Sequence, residues 1–220
     1  MSTVTIDELK SALDFHRDND AAKAMAAYMK GHFEFFGIKQ PVRKALSAEF
    51  IKANKKLEEK QVLRLADQLW KMSEREAQYI AMELLYAARK SRTEKSVTFY
   101  LDLVTRKSWW DTVDFIATRL IGESYQGERR PRVMLKWVKS ENTWQNRTAI
   151  LFQLNYKDKT DKELLFETLT ALKHKKEFFI QKAIGWSLRQ YYRTDPDAVN
   201  DFVEESGITG LAKREALKHT

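Results

Sequence analysis

The stretch Ser108-Trp109-Trp110-Asp111-Thr112-Val113-Asp114 puts two indoles and two carboxylates into seven residues of a chain with six Trp. A carboxylate can stabilise growing positive charge or orient water, and an indole face attracts cations and packs on sugars or bases. Some of these side chains have plainer uses. Ser108 and Asp111 fit a capping box at a helix start. Trp109 and Val113 stand one turn apart, and Val113 continues through Ile116, Ala117 and Leu120 as an apolar stripe. That assigns Trp109 to the core or its edge. Trp110 and Asp114 remain, one turn apart on another face. Asp is disfavoured within helices because its short side chain competes for backbone hydrogen bonds. Asp114 is also past the first turn, so capping does not account for it. A solvated face or a salt bridge for Asp114, and simple packing for Trp110, stand as alternatives to a chemical role.

The elements that must position this pair are helices. With 7 Gly, 3 Pro and no Cys in 220 residues, the composition predicts a mostly helical protein with short connections, no disulfides and no thiolate chemistry. Apolar residues recur at a period of about 3.6 over 6–17, 20–31, 41–54, 58–72, 74–90, 95–106, 109–123, 130–140, 143–156, 161–174, 177–193, 196–206 and a short last segment, 211–219. Thr5 with Glu8 and Ser73 with Glu76 also fit capping boxes. Asp195 suits an N-cap, and Pro131 and Pro196 suit first turns.

Four aromatic-rich segments repeat: "SEREAQYIAMELLYAARK", "SWWDTVDFIATRLIG", "NTWQNRTAILFQLNY" and "EFFIQKAIGWSLRQYY". Their second-turn residues Tyr79, Asp114, Arg147 and Lys182 stand 35, 33 and 35 residues apart. Such spacing matches two-helix repeats stacked side by side, and predicts an all-α fold, an α-solenoid of HEAT-like repeats with a concave basic groove. Equivalent positions then form a polar stripe along the groove. Trp144 precedes Arg147 by three residues and Trp186 follows Lys182 by four, so indoles and cations accompany the one carboxylate. No linker is visible, and residues 1–220 read as a single domain.

Lys and Arg number 39 against 31 Asp and Glu, a net charge of +8. A basic surface draws polyanions, nucleic acid above all. The absence of a long apolar run or a secretory signal predicts a cytoplasmic protein without membrane association. His16, His32, His174 and His219 lack the short spacings of metal ligands, so no metal and no cofactor is expected.

At these residues the chain resembles the AlkD-like DNA alkylation repair glycosylases, which are built from HEAT-like repeats. "AAYMKGHFEFFGIKQPVRK" is similar to the family's tyrosine helix and following loop, and "SWWDTVD" to its most specific signature. "TWQNRTAI", "AIGWSLRQYYRTDP" and "LAKREALKH" are similar to its later repeats and C-terminal end. Trp110, Asp114 and Arg147 match the family's catalytic-cleft residues, and Tyr28 and Trp186 its aromatic lining. The Asp-to-Arg spacing is slightly short, which a trimmed inter-repeat loop explains.

The resemblance implies a DNA glycosylase that excises cationic N3- and N7-alkylated purines from duplex DNA, without base flipping, and leaves an abasic site. A cationic purine departs neutral, so no general acid is needed. Asp114 would stabilise charge growing on the deoxyribose and orient water, with Trp110 and Trp186 against sugar and backbone. Arg147 would hold a phosphate. Lys39, Arg43, Lys44, Lys182, Lys213 and Arg214, with Lys218, would contact the DNA backbone. The lysines offer no clear Schiff-base nucleophile, so the enzyme would be monofunctional, acting as a monomer on double-stranded DNA. The alternative is a non-catalytic HEAT-like module that binds DNA or serves as a protein scaffold.

Overall fold

The computed structural model describes residues 4–128 and 130–218. Its α-helices are α1 (Ile6–Phe15), α2 (Asn19–Tyr28), α3 (Gln40–Asn54), α4 (Glu59–Lys71), α5 (Arg75–Ala87), α6 (Glu94–Leu103) and α7 (Trp110–Phe115). They continue as α8 (Gly122–Tyr125), α9 (Arg132–Val138), α10 (Thr143–Leu151), α11 (Lys162–Leu172), α12 (Phe178–Tyr192), α13 (Pro196–Glu205) and α14 (Gly210–Ala216). A π-helical segment, Ile116–Ile121, joins α7 to α8, so the segment read as 109–123 is one rod with an unforeseen π turn. Among the described residues the only β feature is an isolated bridge between Glu34 and Glu74. The protein is all-α, in helix pairs consistent with an α-solenoid. No described helix is long and apolar enough to cross a membrane. His219 lies outside the described residues.

Two compact units divide the chain, residues 1–99 and 100–220. In the first, α3 packs against both α1 and α5, and α4 packs against α5. Leu13, Phe36, Phe50, Leu69, Ile80 and Leu84 fill its core. The Thr5–Glu8 capping box opens α1. The expected Ser73–Glu76 box does not form, because Glu76 has a different task. Its buried carboxylate accepts the backbone N–H groups of Phe36, Gly37 and Ile38 at 2.9–3.0 Å and pins the loop before α3. Three donors on one carboxylate outweigh a single cap.

In the second unit α7, α10, α12 and α14 pack in that order, each against the next. Helix α9 lies against α10 and α11, and α13 against α12, as a second layer. Ile150, Leu151, Leu169, Ile184, Leu188 and Val199 form the core between the layers. Asp195 caps α13 with Pro196 in its first position, as expected, whereas Pro131 stands one place earlier, at the N-cap of α9.

A side-chain amide gives the repeat a structural signature one residue before the second-turn positions. In the first unit Gln78 Nε2 donates to the carbonyls of Leu69, Trp70 and Met72 at the end of α4. In the second, Asn146 Nδ2 does the same for Trp137 and Val138 at the end of α9 and Ser140 beyond it, and Gln181 Nε2 for Lys173 and Lys175 after α11. The last carbonyls of a helix have no partner within it, and here the next helix supplies one. In the "SWWDTVD" repeat this place is taken by the buried apolar Val113.

Candidate active site

The local fold of "SWWDTVD" differs from a capping box. Trp109 occupies the N-cap in extended conformation and α7 begins at Trp110. The Ser108 hydroxyl donates backward to the Val104 carbonyl at 2.7 Å, so it does not cap α7. Asp111 falls in the first turn, where a carboxylate suits the positive end of the helix. Asp114 sits in the second turn, one turn after Trp110 on the same side of the rod.

The π turn starts two residues after Asp114. Widening a helix by one residue per turn disrupts its hydrogen-bond ladder and is frequent at functional sites. Here side chains support the distorted backbone: the Thr118 hydroxyl donates to the Asp114 carbonyl at 2.7 Å, and Asn155 Nδ2 donates to the Thr118 carbonyl at 3.2 Å.

Opposite α7, Asn142 caps α10 by accepting the N–H groups of Trp144 and Gln145, which fixes the start of that helix. Arg147 follows in the second turn, 4% exposed. Its Nε and Nη2 donate to Asp114 Oδ1 and Oδ2, both at 2.7 Å. Its Nη1 donates to the Phe179 carbonyl at the start of α12. Three consecutive helices of one layer thus meet at a single guanidinium. Trp109, Trp144 and Phe179 form an aromatic cluster with ring centroids 5.0–5.5 Å apart, and the Phe179 ring centroid lies 5.9 Å from the Arg147 guanidinium.

Burial pushes the Asp114 carboxyl above its ordinary value, while the Arg147 guanidinium pulls it back down. The bidentate geometry is that of the ionised form, since both oxygens accept N–H groups. An ionised carboxylate has about four lone-pair sites, so two remain for other donors. The Asp114 side chain is 18% exposed against 5% for Arg147. Asp114 is therefore the more exposed partner of the pair.

The other expected site residues fall into three groups. Trp110 and Trp186 are half-buried in the second unit, and Trp186 packs on the core of that unit. Tyr28, Lys39 and Lys44 are exposed on the first unit, and Lys213 and Arg214 on α14 of the second. Two cations are committed elsewhere. Arg43 is 6% exposed, donates to Glu83 at 2.7 Å and lies over the Tyr79 ring, so it is an internal ion pair rather than a surface phosphate contact. Arg147, expected to grip a phosphate, is 4% exposed and directs three of its five N–H donors to Asp114 and Phe179. Lys182 is partly exposed and pairs with Glu215 at 3.1 Å. Phe179 and Glu215 were not singled out by sequence reasoning. Phe179 acts through a backbone carbonyl, which carries no residue-type signal, and Glu215 lies within a basic run.

The model of the DNA alkylation repair enzyme family matches residues 9–220, across both units. A solved structure described as a predicted DNA alkylation repair enzyme from Enterococcus faecalis is 33% identical, covering 93% of this chain and 96% of that one, with a TM-score of 0.86. No curated protein matches the chain. With a bidentate Asp–Arg pair beside an aromatic cluster inside the matched region, the chain belongs to the DNA alkylation repair enzyme family, which gives it a role in the repair of alkylated DNA.

Proposed function

We propose that this protein is a monofunctional DNA glycosylase that hydrolyses the N-glycosidic bond of cationic N3- and N7-alkylated purines in duplex DNA. The observation that carries the reading is the bidentate Asp114–Arg147 pair, in which Asp114 is the more exposed partner. An alkylated purine already bears positive charge and leaves as a neutral base. The work left for the enzyme is to stabilise positive charge on the deoxyribose as the bond to C1′ breaks. A fixed carboxylate does this without reorganising as the charge appears, and its unused lone pairs can orient the attacking water.

Arg147 serves this reaction indirectly. It fixes the plane of the carboxylate and helps keep it ionised despite burial, so it is a positioning residue in place of the expected phosphate clamp. Trp110 and Trp186 would line the sugar and backbone, attracting the cationic centre through their ring faces. Lys39, Lys44, Lys182, Lys213 and Arg214 would hold phosphates. In this reading Tyr28 would be an aromatic contact to the DNA substrate, and the base is excised without being flipped into a pocket, by a monomer in a bacterial-type cytosol.

The test is release of 7-methylguanine and 3-methyladenine from an alkylated duplex by the purified chain, followed by chromatography of the free bases. Free base together with an intact abasic strand supports the reading. Tight duplex binding without base release would replace it with a non-catalytic DNA-binding module, and strand cleavage at the abasic site would overturn the monofunctional assignment.

A further inference from the structure

Helix α14 places one carboxylate, Glu215, beneath three cations. Glu215 is 8% exposed. Its Oε1 lies 3.1 Å from Lys182 Nζ and 3.6 Å from Lys218 Nζ, and its Oε2 accepts Arg189 Nη1 at 3.2 Å. The same Arg189 nitrogen reaches the Glu215 backbone carbonyl at 3.4 Å. Lys182 and Arg189 belong to α12 and stand four residues before and three residues after Trp186, so they flank that indole on one helix face.

The sequence makes this approach possible at one position. A Cβ at Gly185 would lie 2.4 Å from the Glu215 Cβ and 2.7 Å from the Ala212 carbonyl oxygen. Only glycine lets α14 come so near α12, next to Trp186. The Lys182 ammonium also holds the Glu215 carboxyl below its usual range, so the counter-charge is present at neutral pH.

We propose that Glu215 is a positioning residue for DNA binding: it orders Lys182 and Arg189 on either side of Trp186 as a preset pair of phosphate contacts. The proposal rests on the DNA-repair reading above. A long cationic side chain loses rotamer freedom when it grips a phosphate, and ordering it beforehand lowers that cost. The carboxylate is the more buried partner, with side chains of Lys182 and Arg189 38% and 29% exposed against 11% for Glu215. The cations therefore remain open to a phosphate while their counter-charge lies below them.

The idea makes a prediction opposite in sign to bulk electrostatics. Glu215→Gln raises the net positive charge, which by long-range attraction alone strengthens binding to a polyanion. Positioning instead requires weaker binding. Dissociation constants of the full chain are measured on an unmodified fluorescent duplex at several salt concentrations, for wild type, Glu215→Gln, Glu215→Asp, Lys182→Ala and Lys182→Ala with Glu215→Gln. The expected result is that Glu215→Gln weakens binding several-fold and flattens the logarithmic salt slope by about 1. Lys182→Ala then costs less in the Glu215→Gln background than in wild type. Equal or tighter binding by Glu215→Gln, or strict additivity of the two changes, overturns the proposal, as does a wild type that fails to bind duplex.

If Glu215→Gln does not fold, Glu215→Asp keeps the charge but draws it back by one methylene. Unchanged affinity and slope in that variant also overturn the idea. Unmodified duplex separates this test from catalysis. A chain that binds duplex but releases no base fails the glycosylase reading and leaves the Glu215 comparison intact.

Discussion

Arg147 meets Asp114 edge to edge, each of two guanidinium nitrogens donating to a different carboxylate oxygen at 2.7 Å. The two residues come from neighbouring helices of one layer, at equivalent places in consecutive repeats. The pairing fixes the carboxylate's plane and leaves about half of its lone pairs unspent. It also exposes a balance: the guanidinium favours the ionised acid but offsets part of the charge that the proposed excision would use. Removing either partner should therefore give a different phenotype.

Asp114→Asn keeps the size and one acceptor for Arg147, and removes the negative charge. Excision of 7-methylguanine under single-turnover conditions should fall by about 100-fold or more, the scale on which removing one preorganised electrostatic contact acts. Duplex affinity should hold or rise slightly, because the protein becomes more positive. An Asn variant that excises at the wild-type rate would remove Asp114 from the mechanism.

Arg147→Met tests the other half through pH. The working form is taken to be the ionised carboxylate, so activity falls as pH drops through the Asp114 pKa. Burial already raises that pKa and Arg147 opposes the rise. Without the guanidinium the pKa climbs further, and the acid limb of the excision rate should move to higher pH. A limb in the same place, with only its height changed, would mean that Asp114 ionisation does not set it.

The helical segments and the spacing of the repeat were legible because both are periodic. The pairing of Asp114 with Arg147 was legible only as proximity, since equivalent positions of neighbouring repeats line up. Its geometry was not, and Arg147 was read as a phosphate ligand because side-chain type alone does not reveal which anion a cation will meet. The same limit explains Arg43, whose short-range partner Glu83 is 40 residues away. The amides Gln78, Asn146 and Gln181 did leave a signal, an amide one residue before three of the four second-turn markers, but its meaning depends on where the preceding helix ends. Glu76 shows the converse. Its spacing from Ser73 fits a local cap, and a tertiary demand from three loop N–H groups overrode it.

The first unit allows structural and binding cations to be separated on one helix. Arg43→Ala strands the partly buried Glu83 and should destabilise the protein by about 3 kcal/mol. For a chain of this size that lowers Tm by about 6–12 °C. The salt slope of duplex binding should not change. Lys44→Ala, at an exposed position one residue on, should leave Tm in place and flatten the slope by about 1. Reversal of these two outcomes would return Arg43 to the DNA-contact set.

Gly122 links backbone packing to the pair. A Cβ there would lie 2.4 Å from the Phe152 carbonyl oxygen and 3.0 Å from that of Ala117. Both are backbone atoms, so no side-chain rotation relieves the contact, and the Gly122 carbonyl is itself held by the Tyr156 hydroxyl at 2.6 Å. Phe152 follows directly on α10, the helix of Arg147, and Gly122 lies on the rod that carries Asp114. Gly122→Ala must therefore push these two elements apart, at a cost of about 1–3 kcal/mol. The same displacement loosens a pair whose geometry depends on their spacing. The variant should excise alkylated bases several-fold more slowly at a temperature where circular dichroism shows it fully folded. Val203→Ala, in the buried core on α13 away from the pair, serves as the comparison: it should lose a similar amount of stability and keep the wild-type rate. Equal rates for Gly122→Ala and Val203→Ala would show that the close approach at Gly122 supports the fold alone and not the Asp114–Arg147 geometry.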